Sequence, residues 1–303
     1  MNHFISIADY SPQQIEHILQ VALQLRDQRA KLQGHLTILQ NQTLALLFEK
    51  PSLRTRVSFE QAMIELGGHA IVLGQHDTGL GHRESFTDVT RVLNGMVQGI
   101  AARVFNHDDL IQMSRVSSVP VINMLSDFVH PCQALADVMT IMDEFGQDLN
   151  DRTVAFVGDG NNVARSLALI CGKLGIRFVL ASPPGFALNI DFANSDSSRQ
   201  FEFTNDPQVA VRKADVVCTD TFVSMGQEQD QDRRLKAFNG FQVNEELLDG
   251  APPHAVVLHC LPAHRGVEIT DQVMDGPRSR IFSEAHNRLH AQKGLLAVLL
   301  GGR

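Results

Sequence analysis

The sequence lacks the features that would assign it to a membrane, secreted or zinc-stabilised class of protein. No apolar run approaches the roughly 20 residues that a helix needs to cross a bilayer. Residues 1–10 carry no basic segment followed by an apolar core, so no secretory signal is visible. The four cysteines form no C-x-x-C pair, which argues against structural zinc and a disulfide framework. These absences predict a cytoplasmic protein with reduced thiols and no membrane partner.

An excess of basic residues is also missing. The chain has 26 Lys and Arg residues against 34 Asp and Glu residues, so its formal net charge is −8 at pH 7. Nucleic-acid binding rests on clustered basic residues, and no nucleic-acid partner is therefore expected. Any phosphate that this protein binds is expected to be small and to be held locally.

Apolar segments alternate with helical segments in two successive series. The predicted strands lie at 43–48, 70–73, 100–105 and 119–125 in the first series and at 153–157, 176–181, 201–204, 216–219 and 256–259 in the second. Strands that alternate with helices predict βαβ units. The 303 residues therefore predict two doubly wound α/β domains, at 1–147 and 148–284, each with a mostly parallel sheet flanked by helices. The final helix, within 285–303, is expected to pack back onto the first domain. The polar segments 194–198 and 226–234 are predicted to be flexible loops.

The segment 49–56, EKPSLRTR, follows the first predicted strand and precedes a segment with helical periodicity. Pro51 and Ser52 are typical of a helix start. The first backbone N–H groups of a helix have no partner within the helix, and the positive end of the helix dipole lies at the same point. Arg54 and Thr55 add guanidinium and hydroxyl donors, so this turn is predicted to bind a phosphate or a carboxylate.

Polar motifs also follow two other predicted strands. His130 and Gln133, in HPCQ, lie between a strand and a helix, where an imidazole can donate a hydrogen bond to a carbonyl oxygen that gains negative charge. The GDGNNV segment at 158–163 resembles the start of a dinucleotide-binding unit, but Val163 stands at the third glycine position. NAD binding is therefore disfavoured. Asn161 and Asn162 instead offer amides suited to an amino-acid-like ligand.

Two further strands end in a carboxylate and a thiol. Asp220 follows the strand at 216–219 and precedes a glycine-containing loop, an arrangement that can fix an ammonium group and close over it. Cys260 follows the strand at 256–259. No sequence feature marks His259 or His264 as a base for this thiol. No covalent thiol intermediate is proposed, and an orienting or proton-accepting role stays open.

Each motif taken alone also has a structural explanation. Arg54 and Arg56 fit solvated surface charges, and an Asn before a helix is a common N-cap. Asp220 fits a capping residue, and a cysteine after a strand is more often packed in the core than reactive.

Taken together, the motifs resemble those of the aspartate/ornithine carbamoyltransferase family. S-x-R-T-R at 52–56 and H-P-x-Q at 130–133 resemble the carbamoyl-phosphate site shared across that family. D-x-x-x-S-M-G at 220–226 and H-C-L-P at 259–262 resemble its ornithine branch. The matching motifs run in the expected order from residue 48 to residue 288, so the resemblance covers nearly the whole chain.

The resemblance implies a role for each matching residue. Carbamoyl phosphate would be bound by Ser52, Leu53 (through its backbone), Arg54, Thr55, Arg103, His130, Gln133, Cys260, Leu261 (through its carbonyl) and Arg288. Ornithine would be bound by Asn162, Asp220, Ser224 and Met225. The catalytic groups would be Arg54, Arg103, His130 and Cys260. The family further implies a homotrimer that needs neither a metal nor an organic cofactor.

Three positions depart from the pattern of the ornithine branch. Leu53 stands where Thr is usual, which matters little for a backbone contact but also occurs in enzymes that act on acylated ornithine. Phe222 replaces a usual Trp and is expected to alter packing of the loop. Gly79 stands where many relatives have a Gln that reaches a neighbouring subunit, and His82 or Gln75 could replace it.

The implied reaction transfers the carbamoyl group of carbamoyl phosphate to the side-chain amine of ornithine, giving citrulline and phosphate. One alternative is the same chemistry on N-acetylornithine or putrescine. A distant alternative is a dinucleotide-dependent oxidoreductase, supported only by Gly158 and Gly160. A binding protein without activity is disfavoured because the predicted cationic residues are all present.

Overall fold

The computed structural model describes residues 2–29, 36–74, 83–188, 201–224 and 226–302. They form two compact units, one of Met1–Met139 with His286–Arg303 and the other of Thr140–Ala285. The chain passes from one unit to the other inside two helices. The sequence-based boundaries, after residues 147 and 284, lie eight residues later and one residue earlier than these divisions.

The first unit contains a four-stranded parallel sheet. Its strands are β1 (Thr43–Phe48), β2 (His69–Gly74), β3 (Gly99–Arg103) and β4 (Val121–Leu125), in the spatial order β2-β1-β3-β4. Its helices are α1 (Pro12–Arg29), α2 (Leu53–Glu65), α3 (Phe86–Leu93), α4 (His107–Val116) and the first part of α5 (Pro131–Phe145), after a 3-10 helix at Ile7–Asp9. Every residue of β3 is buried, as expected of a parallel strand covered on both faces.

The second unit contains a five-stranded parallel sheet. Its strands are β5 (Thr153–Val157), β6 (Arg177–Ala181), β7 (Phe201–Thr204), β8 (Val216–Thr219) and β9 (Val256–His259), in the order β7-β6-β5-β8-β9. Its helices are the end of α5, α6 (Asn162–Lys173), α7 (Pro207–Val211), α8 (Gln231–Ala237), α9 (Glu245–Asp249), α10 (Asp271–Met274) and the start of α11 (Ile281–Leu300), with a 3-10 helix at Glu228–Asp230. Two parallel sheets flanked by helices confirm the predicted fold class. None of the helices in the described ranges combines the length and apolar character that a membrane crossing requires.

Both sheets reverse their strand order, between β1 and β3 in the first and between β5 and β8 in the second. Ligands of open α/β sheets bind outside the carboxyl ends of strands at such reversals. Phe48 and Arg103 are register partners at the carboxyl ends of β1 and β3. Thr219, which ends β8, donates through Oγ1 to the Val157 carbonyl at the end of β5 (2.7 Å). The motifs after β1, β5 and β8 therefore follow strands that flank the two reversals, whereas HPCQ and HCLP follow the next strands outward, β4 and β9.

Helix α11 packs closely in the first unit at a glycine. A Cβ atom on Gly294 would lie 2.7 Å from the Cα atom of Ala22 in α1, so no side chain fits between the two helices. The adjacent Lys293 is buried and donates to Glu65 Oε2 at 2.7 Å, while Arg29 lies 2.9 Å from the other oxygen. These charges compensate one another, which a buried charge requires.

One sequence-based interpretation was wrong. The segment 226–234 is predicted to be a flexible polar loop, but it contains the 3-10 helix and the first residues of α8, and the Arg234 side chain is buried. The residues that precede Arg234 in this segment are polar, so the sequence pattern gives no sign that one cation faces the interior. The other predicted loop, at 194–198, lies outside the described residues.

Burial and the neighbouring cations on α11 and α1 make His290 sensitive to acid. Burial, reinforced by the positive charges of Lys293, Arg29 and Arg26, lowers the pKa of His290 from 6.5 to about 4. In the unfolded chain the His290 side chain takes up a proton near pH 6.5. In the folded protein it does so only near pH 4. The stabilising effect of the neutral form is therefore complete above pH 6.5 and is lost as the pH falls towards 4.

His290→Asn is expected to reduce the acid sensitivity of the fold. Between pH 7.5 and pH 5, the free energy of unfolding of the variant should fall by about 2 kcal/mol less than that of the wild type. Urea unfolding at the two pH values measures this difference. His17→Asn, at an exposed position of α1, is the control and should follow the wild type. Equal pH dependence of His290→Asn and the wild type would contradict the assignment.

Candidate active site

The turn after β1 begins helix α2 with two hydroxyl groups. Ser52 is the N-cap: its Oγ accepts a hydrogen bond from the Thr55 backbone N–H (3.4 Å) and donates to Thr55 Oγ1 (3.0 Å). Leu53 is the first residue of α2, and its side chain is 76% exposed, which leaves its backbone as the polar group at the turn. With the positive end of the helix dipole at the same point, this turn has the properties of an anion site.

Helix α11 brings a guanidinium group to the same turn. Arg288 is buried and donates from Nη2 to Thr55 Oγ1 (3.3 Å) and from Nη1 to Gln133 Oε1 (2.7 Å). Gln133, in the first turn of α5, donates from Nε2 to Asp137 Oδ1 (2.8 Å). A continuous series of hydrogen bonds thus runs from Ser52 to Asp137 and joins α2, α5 and α11.

His130 precedes α5 and is surrounded by positive charge. Burial lowers the pKa of His130 well below 6.5, and neighbouring cations lower it further. These cations are Arg288, Arg103, Lys50 and Arg54. The imidazole is therefore neutral at pH 7 and can donate one hydrogen bond. Burial and the charge of Arg103 also lower the pKa of Lys50 to about 8. Such crowding of buried cations favours the binding of an anion.

In the second unit, the loop after β5 orients a carboxylate. Gly160 cannot carry a side chain, because a Cβ atom there would lie 2.5 Å from the backbone nitrogen of Leu188. The next residue, Asn161, is the N-cap of α6 and accepts through Oδ1 from two backbone N–H groups, both at 3.0 Å. Its Nδ2 donates to Asp220 Oδ2 (2.7 Å). The N-cap therefore starts the helix and also holds Asp220.

Asp220 and Cys260 are in direct contact at the ends of β8 and β9. The Cys260 thiol donates to Asp220 Oδ1 with an S to O distance of 3.1 Å, and the same oxygen accepts from the Thr221 backbone N–H (2.8 Å). Asp220 is buried, and a buried carboxylate needs hydrogen-bond donors or a cation to compensate its charge. This end of the second sheet therefore suits an ammonium group.

His259 is engaged by groups other than the Cys260 thiol. Its Nδ1 accepts from the Leu261 backbone N–H (2.9 Å), and its Nε2 lies 3.1 Å from Glu268 Oε1. Because Nδ1 is an acceptor here, the ring proton is assigned to Nε2 and the imidazole is neutral. The contact holds Leu261 at φ +57°, a left-handed conformation uncommon for a residue with a side chain, and so sets the direction of its carbonyl.

Arg234 connects the segment after β8 with the segment after β5. Its Nε donates to the Phe222 carbonyl (2.6 Å), and its Nη2 donates to Asp159 Oδ2. Burial raises the pKa of Asp159, against the opposing effect of the Arg234 charge. Phe222 stacks on Phe238 with 4.6 Å between ring centroids, which packs the loop that leads to Ser224. Phe, in place of the Trp usual in the ornithine branch, fills this position as a buried ring.

The predicted residues fall into two groups, one in each unit. The first unit contains Ser52, Leu53, Arg54, Thr55, Arg103, His130, Gln133 and Arg288. The second unit contains Asn162, Asp220, Ser224, Cys260 and Leu261. Ser224 lies on the loop after Phe222, where its backbone N–H donates to Gln227 Oε1 (3.1 Å). Met225, together with Gly79, Gln75 and His82, lies outside the described residues.

Two family models match this chain. The carbamoyl-P binding domain of aspartate/ornithine carbamoyltransferase matches residues 2–143, and the Asp/Orn binding domain of the same family matches residues 150–299. The chain belongs to the aspartate/ornithine carbamoyltransferase family. It is therefore a carbamoyltransferase, and the family predicted from the motifs is confirmed.

Full-length relatives agree with this assignment. The ornithine carbamoyltransferase of Methanopyrus kandleri is 46% identical, over 99% of this chain and 97% of that protein. That of Pyrococcus abyssi is 48% identical, over 98% of this chain and 95% of that protein. The structure of ornithine carbamoyltransferase from Pyrococcus furiosus is 45% identical, covers 100% of this chain and 98% of that one, and gives a TM-score of 0.95. These relatives give no support to a dinucleotide-dependent oxidoreductase.

One group of side chains in this carbamoyltransferase has the chemistry of metal ligands. Ligand atoms of Asp220, His259 and Cys260 lie within 4.8 Å of one another. In the structure, however, Asp220 accepts the thiol hydrogen bond, and both imidazole nitrogens of His259 contact protein groups. The arrangement is thus maintained by bonds within the protein, and the prediction that no metal is required stays a prediction.

Sequence reasoning missed several residues that support the site. Asp137 lies four residues after Gln133 on one helix, a spacing that brings two side chains together and could have identified it. Lys50 lies within the EKPSLRTR motif itself. Asp159 and Arg234 act through partners that are distant in sequence, and no local pattern indicates them.

The ion pair of Arg234 and Asp159 gives a test of how the second unit is stabilised. Arg234→Met keeps much of the side-chain volume but leaves a buried carboxylate without its cation, so the free energy of unfolding should fall by about 3–5 kcal/mol. Arg233→Met removes an exposed neighbour paired with Asp230 and should change it by less than about 0.5 kcal/mol. Urea unfolding measures both.

The double variant Arg234→Met/Asp159→Asn identifies the cause of the loss. If the uncompensated carboxylate is responsible, removing its charge should restore at least half of the lost stability. A double variant as unstable as Arg234→Met alone would show that the carboxylate is not the cause.

Proposed function

We propose that this protein transfers the carbamoyl group of carbamoyl phosphate to the side-chain amine of L-ornithine, giving L-citrulline and phosphate, and serves arginine metabolism. The observation that carries the proposal is the buried cationic group around His130, in the part of the chain matched by the carbamoyl-P binding domain. The relatives that match over their full length are ornithine carbamoyltransferases. No metal or organic cofactor takes part in the proposed reaction.

Carbamoyl phosphate is the ligand proposed for the first unit. Its phosphate is bound at the start of α2 by Ser52, the Leu53 backbone, Arg54 and Thr55. Its carbamoyl group is bound by Arg103 and His130 at the oxygen and by Gln133 at the nitrogen, with Arg288 alongside. The hydroxyl and guanidinium groups at this turn and the lowered pKa values of His130 and Lys50 support an anionic ligand.

Ornithine is the ligand proposed for the second unit. Its α-amino and carboxylate groups are bound by Asn162, Asp220, Ser224 and Met225, of which Met225 lies outside the described residues. The Cys260 thiol and the Leu261 carbonyl face its side-chain amine and the carbamoyl group. The buried Asp220 carboxylate and its contact with Cys260 support a ligand that carries ammonium groups.

The chemistry follows from the charges that develop. The neutral side-chain amine forms a bond to the carbamoyl carbon, and negative charge builds on the carbonyl oxygen. The bond to phosphate then breaks with its electron pair leaving on phosphate, and the leaving phosphate accepts the proton that the attacking nitrogen loses. Arg54, Arg103 and the N–H of neutral His130 stabilise these charges, so positioning and electrostatic preorganisation supply most of the catalysis. The amine, with a pKa near 10, must lose a proton before it attacks, so activity should rise from neutral to alkaline pH.

An assay with four amines tests the proposal. Purified protein is incubated with carbamoyl phosphate and, separately, with ornithine, N-acetylornithine, putrescine and aspartate, and the ureido product and phosphate are measured. Citrulline and phosphate should form in equal amounts with ornithine, independently of added metal or NAD. If product formed with only one of the other amines, that amine and not ornithine would be the substrate.

Arg54→Ala and Arg56→Ala form a matched pair for the phosphate site. Arg54 is half-buried at the start of α2, whereas Arg56 is exposed and paired with Glu60 at 3.4 Å. Loss of one donor to the developing charge costs roughly 3 kcal/mol, so Arg54→Ala should lower kcat at least about a hundredfold. Arg56→Ala should stay within about threefold of the wild type. Near-normal turnover by a folded Arg54→Ala variant would remove the proposed phosphate site.

The proposal extends to a homotrimer in the cytoplasm. The first unit exposes Leu53, Val57 and Ile64 along one face of α2. Ile71 on β2 and Met96 after α3 are also exposed. Large exposed apolar patches are typical of surfaces that bind a protein. None of the four cysteines, all of which lie in the described ranges, forms a disulfide, which suits a reducing compartment.

Val57→Glu places a charge within the exposed apolar face of α2. If this face lies at a subunit contact, the charge should convert the trimer to a monomer at micromolar concentration, and sedimentation velocity measures the change. Val209→Glu, at an exposed position of α7 in the second unit, is the control and should stay trimeric. A wild type that sediments as a monomer would contradict the trimer itself.

A further inference from the structure

The side-chain amide of Gln133 is held in one orientation by Asp137 and Arg288. Its Nε2 lies 2.8 Å from Asp137 Oδ1, and its Oε1 lies 2.7 Å from Arg288 Nη1. An ionised carboxylate only accepts hydrogen bonds, and a guanidinium group only donates them. Turning the amide over would bring oxygen against oxygen on one side and N–H against N–H on the other. The orientation therefore follows from the chemistry of the partners.

Burial makes this orientation costly to reverse. Gln133, Asp137 and Arg288 are each no more than 3% exposed. Water cannot readily replace a lost partner at such a site, and a buried polar group without one is strongly unfavourable. Asp137 is one turn along α5 from Gln133, while Arg288 comes from α11 and is held in turn by Thr55. The arrangement is thus supported from three helices.

The oriented amide has a consequence for the acyl donor. An amide oxygen has two lone pairs, so Gln133 Oε1 can accept a further hydrogen bond while it is bound to Arg288. A carbamoyl group ends in NH₂ and can donate that bond, whereas the acetyl group of acetyl phosphate ends in a methyl group of similar size. An amide turned the other way would offer N–H groups and would repel the NH₂ group.

We propose that Asp137 is a positioning residue that determines specificity for the acyl donor. By accepting from Gln133 Nε2, it keeps Gln133 Oε1 available to an N–H group of the donor. The site therefore selects carbamoyl phosphate over acyl phosphates that lack an N–H group. This inference rests on the proposed function only in placing the carbamoyl nitrogen beside Gln133.

Binding of three anions without ornithine tests this role. Calorimetry at low temperature gives Kd values for freshly dissolved carbamoyl phosphate, acetyl phosphate and inorganic phosphate. The wild type should prefer carbamoyl phosphate to acetyl phosphate by at least about tenfold, the effect of one well-formed hydrogen bond. Asp137→Leu should weaken carbamoyl phosphate by about tenfold but acetyl phosphate and phosphate by less than about threefold, so the preference is lost.

Two variants serve as controls. Asp137→Asn keeps an oxygen that accepts from Gln133 and should retain most of the wild-type preference. Asp143→Leu removes an exposed carboxylate further along α5 and should leave all three Kd values unchanged. In turnover assays, Asp137→Leu should raise the KM for carbamoyl phosphate while a merely structural defect would lower the amount of active protein at constant KM.

Two outcomes would overturn the inference. One is an equal loss of affinity for carbamoyl phosphate and acetyl phosphate in Asp137→Leu. The other is a wild type that binds both equally, a result that needs no variant to fold. A wild type that selects carbamoyl phosphate but forms no citrulline would overturn the proposed function alone. Citrulline formation with an unchanged preference in Asp137→Leu would overturn the inference alone.

Discussion

The constraint on which the first unit depends is the burial of several cations beside one another and around the neutral imidazole of His130. Arg103, Arg288, Lys50 and His130 are each less than 10% exposed, and they come from the end of β3, helix α11, the β1–α2 turn and the start of α5. Burial, reinforced by the neighbouring positive charges, lowers the pKa values of His130 and Lys50. A fold that holds this group together is prepared for an anion, because a bound phosphate replaces repulsion with attraction and needs little rearrangement.

The second unit is built on the opposite charge. Asp220, Asp159 and Glu268 are buried carboxylates at or near strand ends, and each is held by donors from another segment. Asn161 and Cys260 donate to Asp220. Arg234 donates to Asp159, and His259 donates to Glu268. The two units therefore differ in the ligands they favour, an anion in the first and an amine in the second. This difference follows from which side chains each parallel sheet places at the carboxyl ends of its strands, since the two sheets share the same reversal of strand order.

Much of this could be predicted from the sequence, because buried parallel strands are continuous apolar runs and the functional motifs follow them directly. The predicted strands at 153–157 and 201–204 match β5 and β7 residue for residue. The supporting contacts could not be predicted in the same way. Arg234 reaches Asp159 across 75 residues, and Arg288 reaches Gln133 across 155, so neither pair leaves a local pattern. Polar neighbours around Arg234 even indicated a flexible loop where the chain forms helix.

Gln133 and His259 show how such contacts define function beyond residue identity. Each side chain can present either a donor or an acceptor to a ligand or to the backbone. Asp137 and Arg288 fix the orientation of the Gln133 amide. The Leu261 N–H and Glu268 fix the tautomer of the His259 imidazole. The free energy needed to orient these groups is therefore part of folding. Because the groups do not have to reorient when substrate arrives, that free energy adds nothing to the barrier of the reaction. The sequence motifs identify the side chains at the site. Residues distant in sequence determine whether each of these side chains presents a hydrogen-bond donor or an acceptor.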